Sequence, residues 1–419
     1  MNKKIIISSF VGNALEFFDF MLCGVFMMTL SSVFFPSTNS NLSILAGLFA
    51  FSAAFYTRPI GALLFGYLGD KYGRKRILSM TVFLMGIPTF VIGILPSYEN
   101  IGIFAPLTLI ACRLLQGLCA GGEYNGAAIF ALEHVQKDRP GFVSGLISSS
   151  CVVGALSATI LGGIFLYDGA PTWFWRVPFL FGALISVMGY YLRRYTFETM
   201  EFMKYKQYTQ QEHVSFSYEK YINQFIVAIS VGALNGALSY TLFGFLNVYM
   251  TKFVGFHGLK GIWCNAVGLV AFGLACVVFG ALSDRWGEKK SIIYSACLAS
   301  IIAFPAFYLL MQGQLIPVLA GQILLGIAVG SFISTNHFFL QSLFPVQIRY
   351  RAIAFGFCLG MAITGGTTAM LLTYTIMQTQ NLYAPAFLIV SYALIFMVSL
   401  KLLPKKSELI YKKDHLRAA

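Results

Sequence analysis

The sequence predicts an all-α integral membrane protein: twelve transmembrane helices in two pseudo-symmetric six-helix bundles. Three observations predict it. Of 419 residues, 58% are hydrophobic and only 11% are charged, against about 25% charged in ordinary soluble domains. Apolar stretches of about 20 residues or more, the length that crosses a bilayer, recur from end to end. The interior holds a single long polar stretch, 194–220, with six apolar stretches on either side of it.

The first span is expected at 5–31. Its start, MNKKIIISSF, mimics a signal peptide, but Glu16 and Asp19 interrupt the apolar run and no small-residue cleavage site follows. A retained span is the expectation. The next five are placed at 42–69, 77–95, 103–133, 141–166 and 174–193. After the polar stretch come 221–251, 262–283, 291–311, 315–343, 350–377 and 383–403. The expected organisation is a bundle over 1–193, a linker over 194–220, a bundle over 221–403 and a short tail over 404–419. Strands of a closed barrel would alternate over roughly 10 residues, and no such pattern occurs.

The formal charge of +13 does not mark a nucleic-acid partner. Of 29 Lys and Arg, 24 fall in the termini and the alternate loops: Lys3 and Lys4, Lys71 to Arg76, Lys137 and Arg139, Arg193 to Lys220, Arg285 to Lys290, Arg349 and Arg351, and Lys401 onward. This positive-inside pattern predicts that both termini lie in the cytoplasm. The eight cysteines all lie in apolar stretches and form no CxxC pair, so no metal site or disulfide framework is signalled, and no cofactor is expected.

The halves echo each other. GYLGDKYGRKR (66–76) follows the second span and GALSDRWGEKK (280–290) the eighth, at an offset of 214 residues. A weaker echo pairs EHVQKDRPG (133–141) with LFPVQIRYR (343–351). Two six-span halves sharing turn motifs are what internal repeats in transporters produce. The duplicated motif and the 6+6 layout resemble the major facilitator superfamily. GNALEFFDF (12–20), RPIGALLFGYLGDKYGRKR (58–76) and RLLQGLCAGGEYNGA (113–127) resemble its metabolite:proton symporter branch. The resemblance covers nearly the whole chain and implies import of an organic acid or a zwitterion. Two positions depart from the pattern: Phe17 stands where a tryptophan is common, and Glu288 where a basic residue is usual.

A charge at the bilayer centre costs about 2.5–3.5 kcal/mol on insertion scales, so each buried one needs a partner or a task. Five are expected deep in the spans: Glu16, Asp19, Arg58, Arg113 and Glu123. At about 1.5 Å per residue, Glu16, Arg58 and Glu123 share one level; Asp19 lies about a turn further out and Arg113 further still. The spacing of three puts Glu16 and Asp19 on one helix face with Asn13 and Cys23. Three acids against two arginines leave one negative charge in excess, so Glu16, Asp19 and Glu123 are expected to share a movable proton.

Arg58 is the expected substrate contact, because its guanidinium matches a carboxylate bidentately; Pro59 after it is expected to open the helix locally. Arg113 and Tyr124 are further candidates, joined from the second half by Asn235, Tyr240, Asn247, Asn336 and His337. His337 is expected only about 9 Å from the cytoplasmic end. In the turn motif, Gly66 and Gly73 permit a tight turn, and Asp70 can stabilise a helix N-terminus of the other half. The resemblance implies that Asp70 and Arg74 latch the cytoplasmic side, with Asp284 and Arg285 as the repeat.

The function expected is proton-coupled uptake by alternating access, in a monomer of a bacterial inner membrane. A betaine or proline carrier is the less expected substrate variant, because sixteen residues without heptads follow Leu403 where some such carriers extend a heptad-rich tail. A proton-driven exporter is the rival transport reading, weakened by VVGALSATILGG (152–163), which lacks the Gly-Pro of drug antiporters. A non-transporting sensor would need a signalling domain, and an enzyme would need a nucleophile or metal constellation.

Overall fold

A computed structural model describes residues 3–37, 40–135, 139–166, 171–194, 196–200, 202–203, 218–256 and 259–404. Among these the chain is all helix, with no strand. In a bilayer every backbone N–H and C=O must be satisfied within its own segment, and runs that are apolar on nearly every side leave only the helix.

The first six spans are α1 (Lys3–Val25, continued by Met27–Phe34), α2 (Ser40–Tyr72), α3 (Arg74–Ile94), α4 (Phe104–Val135), α5 (Pro140–Phe165) and α6 (Arg176–Arg194). The second six are α7 (Ile222–Tyr240), α8 (Leu259–Trp286), α9 (Glu288–Met311), α10 (Leu315–Leu343), α11 (Arg349–Thr364, continued by Thr368–Thr379) and α12 (Ala384–Ser399). Ten segments are long and apolar enough to cross a membrane by length and composition, and the shorter apolar helix Arg176–Tyr191 adds to them. The 33-residue α2 makes the twelfth. Most of the expected linker and the expected tail beyond 404 lie outside the described residues.

Helix α2 runs unbroken through Pro59, so the local opening expected there does not occur. A proline deletes one N–H, and tight packing on α4 holds the rest of the helix in register; Thr57 donates across that seam to Leu114 O at 2.9 Å. The breaks lie elsewhere. Helix α7 continues into two π-turns, Thr241–Phe245 and Tyr249–Phe253, and α11 is interrupted at 365–367.

The helix ends that carry the turn motifs and most of the basic residues form one face of the molecule, here called the basic face. Gly73 and Gly287 make the corresponding turns with φ of 110° and 81°, a conformation that a side chain would strain. The first and second six helices meet mainly along α5 against α8 and α10, and α2 against α11.

Candidate functional site

Between the halves lies a small, partly open cavity. From the first half it is lined by Phe17, Met21, Arg58, Tyr124 and Cys151, and from the second by Asn235, Ser239, Tyr240, Phe243, Phe272, Ile333 and Met361. Arg58, Tyr124, Asn235 and Tyr240 are therefore brought together as expected.

Arg58 is the one charged residue in that lining. Its guanidinium lies over Phe20 at 4.6 Å and Phe55 at 5.0 Å, and among the described residues it makes no hydrogen bond or ion pair within 4 Å. Phe55 in turn meets Tyr240 edge to face at 4.9 Å, so the ring that carries the arginine also touches the opposite half. Asn336 donates to Asn235 Oδ1 at 2.7 Å and fixes that amide at the cavity wall. His337 stacks on Tyr124 at 4.7 Å. That is deeper in the bundle than its distance from the end of α10 suggested, because the helices do not end at one level.

Two candidates do not line this cavity. Arg113 faces a second, smaller space with Cys23, Met27 and Phe51; it donates to Gln116 Oε1 at 2.7 Å and Phe51 O at 3.3 Å. Asn247 is exposed. It sits past the first π-turn, which rotates that part of the helix off the α7 face bearing Asn235 and Tyr240.

The three acids sit behind the cavity wall. Glu16 feels Arg58, Glu123, Arg193 and Asp19 through space. Asp19 accepts from Ser186 Oγ at 3.2 Å and, among the described residues, has no ion pair. Glu123 pairs with Arg193 Nη2 at 2.5 Å and accepts from Thr81 at 2.8 Å. The expected count of three acids against two arginines is thereby corrected. Arg193 had been counted with the loop charges; it turns back into the bundle, only 4% exposed, and donates to Leu78 O at 2.9 Å. Three buried acids face three buried arginines, so no net negative charge is left over. What separates the acids is position: Glu123 is matched, Glu16 is influenced by the substrate-facing Arg58, and Asp19 is held by hydroxyls alone.

Arg193 was legible in one respect: it stands seven residues from Ser186, and so on the same face of α6. Gly12 on α1 makes room for it, since a Cβ there would lie 2.0 Å from Nη2.

At the basic face both motif acids cap helices of the other half. Asp70 accepts from the backbone N–H of Tyr350 at 3.2 Å and Arg351 at 3.1 Å. Asp284 accepts from Gly141 at 2.6 Å and Phe142 at 3.0 Å. Gly66 lies against α11, where a Cβ would come within 2.5 Å of Arg351 Cα. Arg74 is fully buried, paired with Asp70 at 3.2 Å and Glu133 at 3.4 Å, and donates to Val346 O at 2.8 Å. Glu133 also pairs with Arg349 at 3.2 Å. Arg285, expected as Arg74's counterpart, is exposed; the residue 214 positions after Arg74 is Glu288. Sequence reasoning missed Glu133, Arg349, Glu198 and Phe202, which join only through the fold.

Bonds from Asp70, Arg74 and Asp284 thus join the halves at the basic face. A model of the Major Facilitator Superfamily matches residues 10–363. The chain belongs to the major facilitator superfamily. Within that superfamily it is similar to the proline/betaine transporter of Escherichia coli K12, 31% identical over 416 residues covering 95% of this chain and 82% of the relative. It is equally similar to the glycine betaine/proline/ectoine/pipecolic acid transporter OusA of Dickeya dadantii, 31% identical over 408 residues, 94% and 81% of the two chains. Among solved structures, the proton:xylose symporter XylE bound to 6-bromo-6-deoxy-D-glucose superposes with a TM-score of 0.77 at 14% identity, covering 94% of each chain. A bacterial homologue of the iron transporter ferroportin in its outward-facing state gives 0.70 at 13% identity, with 95% and 99% covered. These two show the fold alone. This major facilitator is thus a multi-pass membrane transporter and not an enzyme.

Proposed function

We propose that this transporter carries a small zwitterionic or carboxylate solute inward together with a proton. The observation that carries the reading is Arg58: a guanidinium in a cavity between the halves with no acceptor among the described residues. A guanidinium stacked on rings and free of carboxylates is poised for a bidentate carboxylate. Five aromatic residues share the wall, Phe17, Tyr124, Tyr240, Phe243 and Phe272, and ring faces attract an ammonium or quaternary ammonium. A zwitterion meets both features at once. The proline/betaine relatives support the same choice, and it moves the reading toward the substrates that tail length had made less expected.

Coupling follows from what Arg58 faces. With the cavity empty, Arg58 stabilises the Glu16 carboxylate through space. A bound carboxylate takes over that positive charge, and Glu16 then holds a proton more readily. Solute release returns Arg58 to Glu16 and frees the proton. Asp19, with no cation partner among the described residues, is a second proton carrier in this scheme, while Glu123 and Arg193 form a fixed pair. The bundles over 1–193 and 221–403 rock about the cavity as a monomer, with the basic face and both termini in the cytoplasm of a bacterial inner membrane. The membrane potential adds about 2.3 kcal/mol per charge per 100 mV.

The test is uptake of labelled proline, glycine betaine and simple carboxylates into proteoliposomes, with and without an inward proton gradient. Gradient-driven uptake of one solute, lost in Arg58→Ala and partly kept in Arg58→Lys, is expected. Uptake that ignores the gradient, or survives Arg58→Ala, would sink the reading.

A further inference from the structure

One face of α1 carries more polar atoms than its neighbours satisfy. Ser9, Asn13, Glu16 and Asp19 recur at spacings of four, three and three, so they form one stripe along the helix. All four are 3% exposed or less. On each, one side-chain oxygen has no hydrogen-bond partner among the described residues: Ser9 Oγ, Asn13 Oδ1, Glu16 Oε2 and Asp19 Oδ1. Within a membrane each such orphan costs several kcal/mol, so four in register on one face are not a packing accident.

Asn13 is the best fixed of them. Its amide N–H groups donate to Ile147 O at 3.1 Å and Ser150 Oγ at 2.7 Å on α5. Those bonds orient the amide and leave its carbonyl oxygen as a free acceptor one turn from Glu16. Ser9 lies a further turn toward the basic face, about 10 Å along the helix from Glu16. Beside the cavity, Tyr124 packs edge to face on His337 at 4.7 Å and tilted against Phe357 at 5.7 Å, so that descent is filled by rings.

We propose that the coupled proton leaves Glu16 toward the basic face along this stripe, with Asn13 and Ser9 as positioning residues that hold the intervening water. The proposal rests on the proton-symport reading above and adds a route separate from the solute's. In the step, the Glu16 O–H bond breaks and the proton passes to a water oriented by Asn13 Oδ1. It then moves past Ser9 Oγ and leaves as hydronium. Glu16 remains as a carboxylate facing Arg58. Asn13 and Ser9 neither gain nor lose a proton overall.

The test compares gradient-driven uptake with solute counterflow at equal pH on both sides, which needs rocking and binding but no net proton release. Asn13→Leu is expected to lower gradient-driven uptake at least tenfold while counterflow stays within twofold. Asn13→Thr, which restores an oxygen acceptor, is expected to recover uptake to within threefold of the parent, and Ser9→Ala to lower it two- to threefold. Equal loss of uptake and counterflow in Asn13→Leu would make Asn13 a packing residue and overturn the route. So would undiminished gradient-driven uptake in that variant. A parent protein without gradient-driven uptake would instead refute proton symport itself, an outcome read before any variant is made.

Discussion

The two copies of the turn motif occupy matching places and make unequal contacts. At the second, Asp284 caps α5 with two short backbone bonds, and no arginine joins it among the described residues. At the first, Asp70 caps α11 and is itself gripped by Arg74, which reaches Glu133 and, through it, Arg349. Among the residues after α6, Phe202 lies over the Arg74 guanidinium at 4.9 Å and Glu198 accepts from Lys75 N–H at 3.2 Å. Duplication thus preserved the cap and left only one copy with a charge network.

The comparison also accounts for Glu288, the motif's departure from pattern. Helix α3 has no acid in its own first turn and borrows Glu198 from the chain after α6. Helix α9 supplies Glu288 within its first turn. Both N-termini therefore meet a negative charge, one from a distant segment and one from the helix itself.

The largest break in this asymmetry should come from Arg74→Gln. Removing one partner of a buried charge cluster costs about 3–5 kcal/mol, because Glu133 and Asp70 lose their buried cation. Spin-label distances across the basic face should shift from closed to open, and an unshifted distribution would mean the network is not the latch. Asp70→Asn should come next, at about 1.5–3 kcal/mol for charge-assisted bonds lost, read as faster alkylation of a cysteine placed inside the cavity from the basic side. Asp284→Asn should shift the same labelling less, by about 0.3–1 kcal/mol, because the amide oxygen still caps α5 and only the charge at its N-terminus is lost. Equal effects of the two aspartate variants would erase the distinction drawn here.

The smallest effects concern the borrowed cap. Burial raises the Glu198 carboxyl above its ordinary range, opposed by its bonds to the Thr199 and Lys75 N–H groups and by Arg74. The docked segment therefore binds a proton more tightly than the undocked one. Its contribution is fully present below the ordinary carboxylate value and is lost as pH rises through the raised one. Protection of 196–200 against hydrogen exchange, corrected for the intrinsic pH dependence of amide exchange, should be greater at pH 5 than at pH 8, and Glu198→Gln should flatten that difference. Glu288→Arg should leave gating intact and destabilise α9 by about 0.3–1 kcal/mol, seen as a small drop in Tm.

Much of the site was legible because the membrane makes buried charge expensive. Glu16, Asp19, Arg58 and Glu123 stood out as ionisable residues in apolar runs, and Arg58 reached the cavity as expected. Arg113 did not, since depth along a helix fixes a level but not the direction a side chain faces. Arg193 was hidden for a related reason. A long side chain at a helix end can reach solvent or fold back, and only the gap at Gly12 decides.

The sequence by itself determined the helices, their number and the pairing of the motif repeats. Those follow from local rules, since backbone polar groups in hydrocarbon leave a long apolar run no structure but a helix. Tertiary structure alone decided which charges are matched. An ion pair depends on where two side chains from distant segments meet, and Glu123 with Arg193, or Arg74 with Glu133, carry no mark in sequence of the partner they find. Among the described residues that pairing leaves Asp19 without a cation and Arg58 open to the cavity, and so separates the charges that hold the helices from those the proposed mechanism uses.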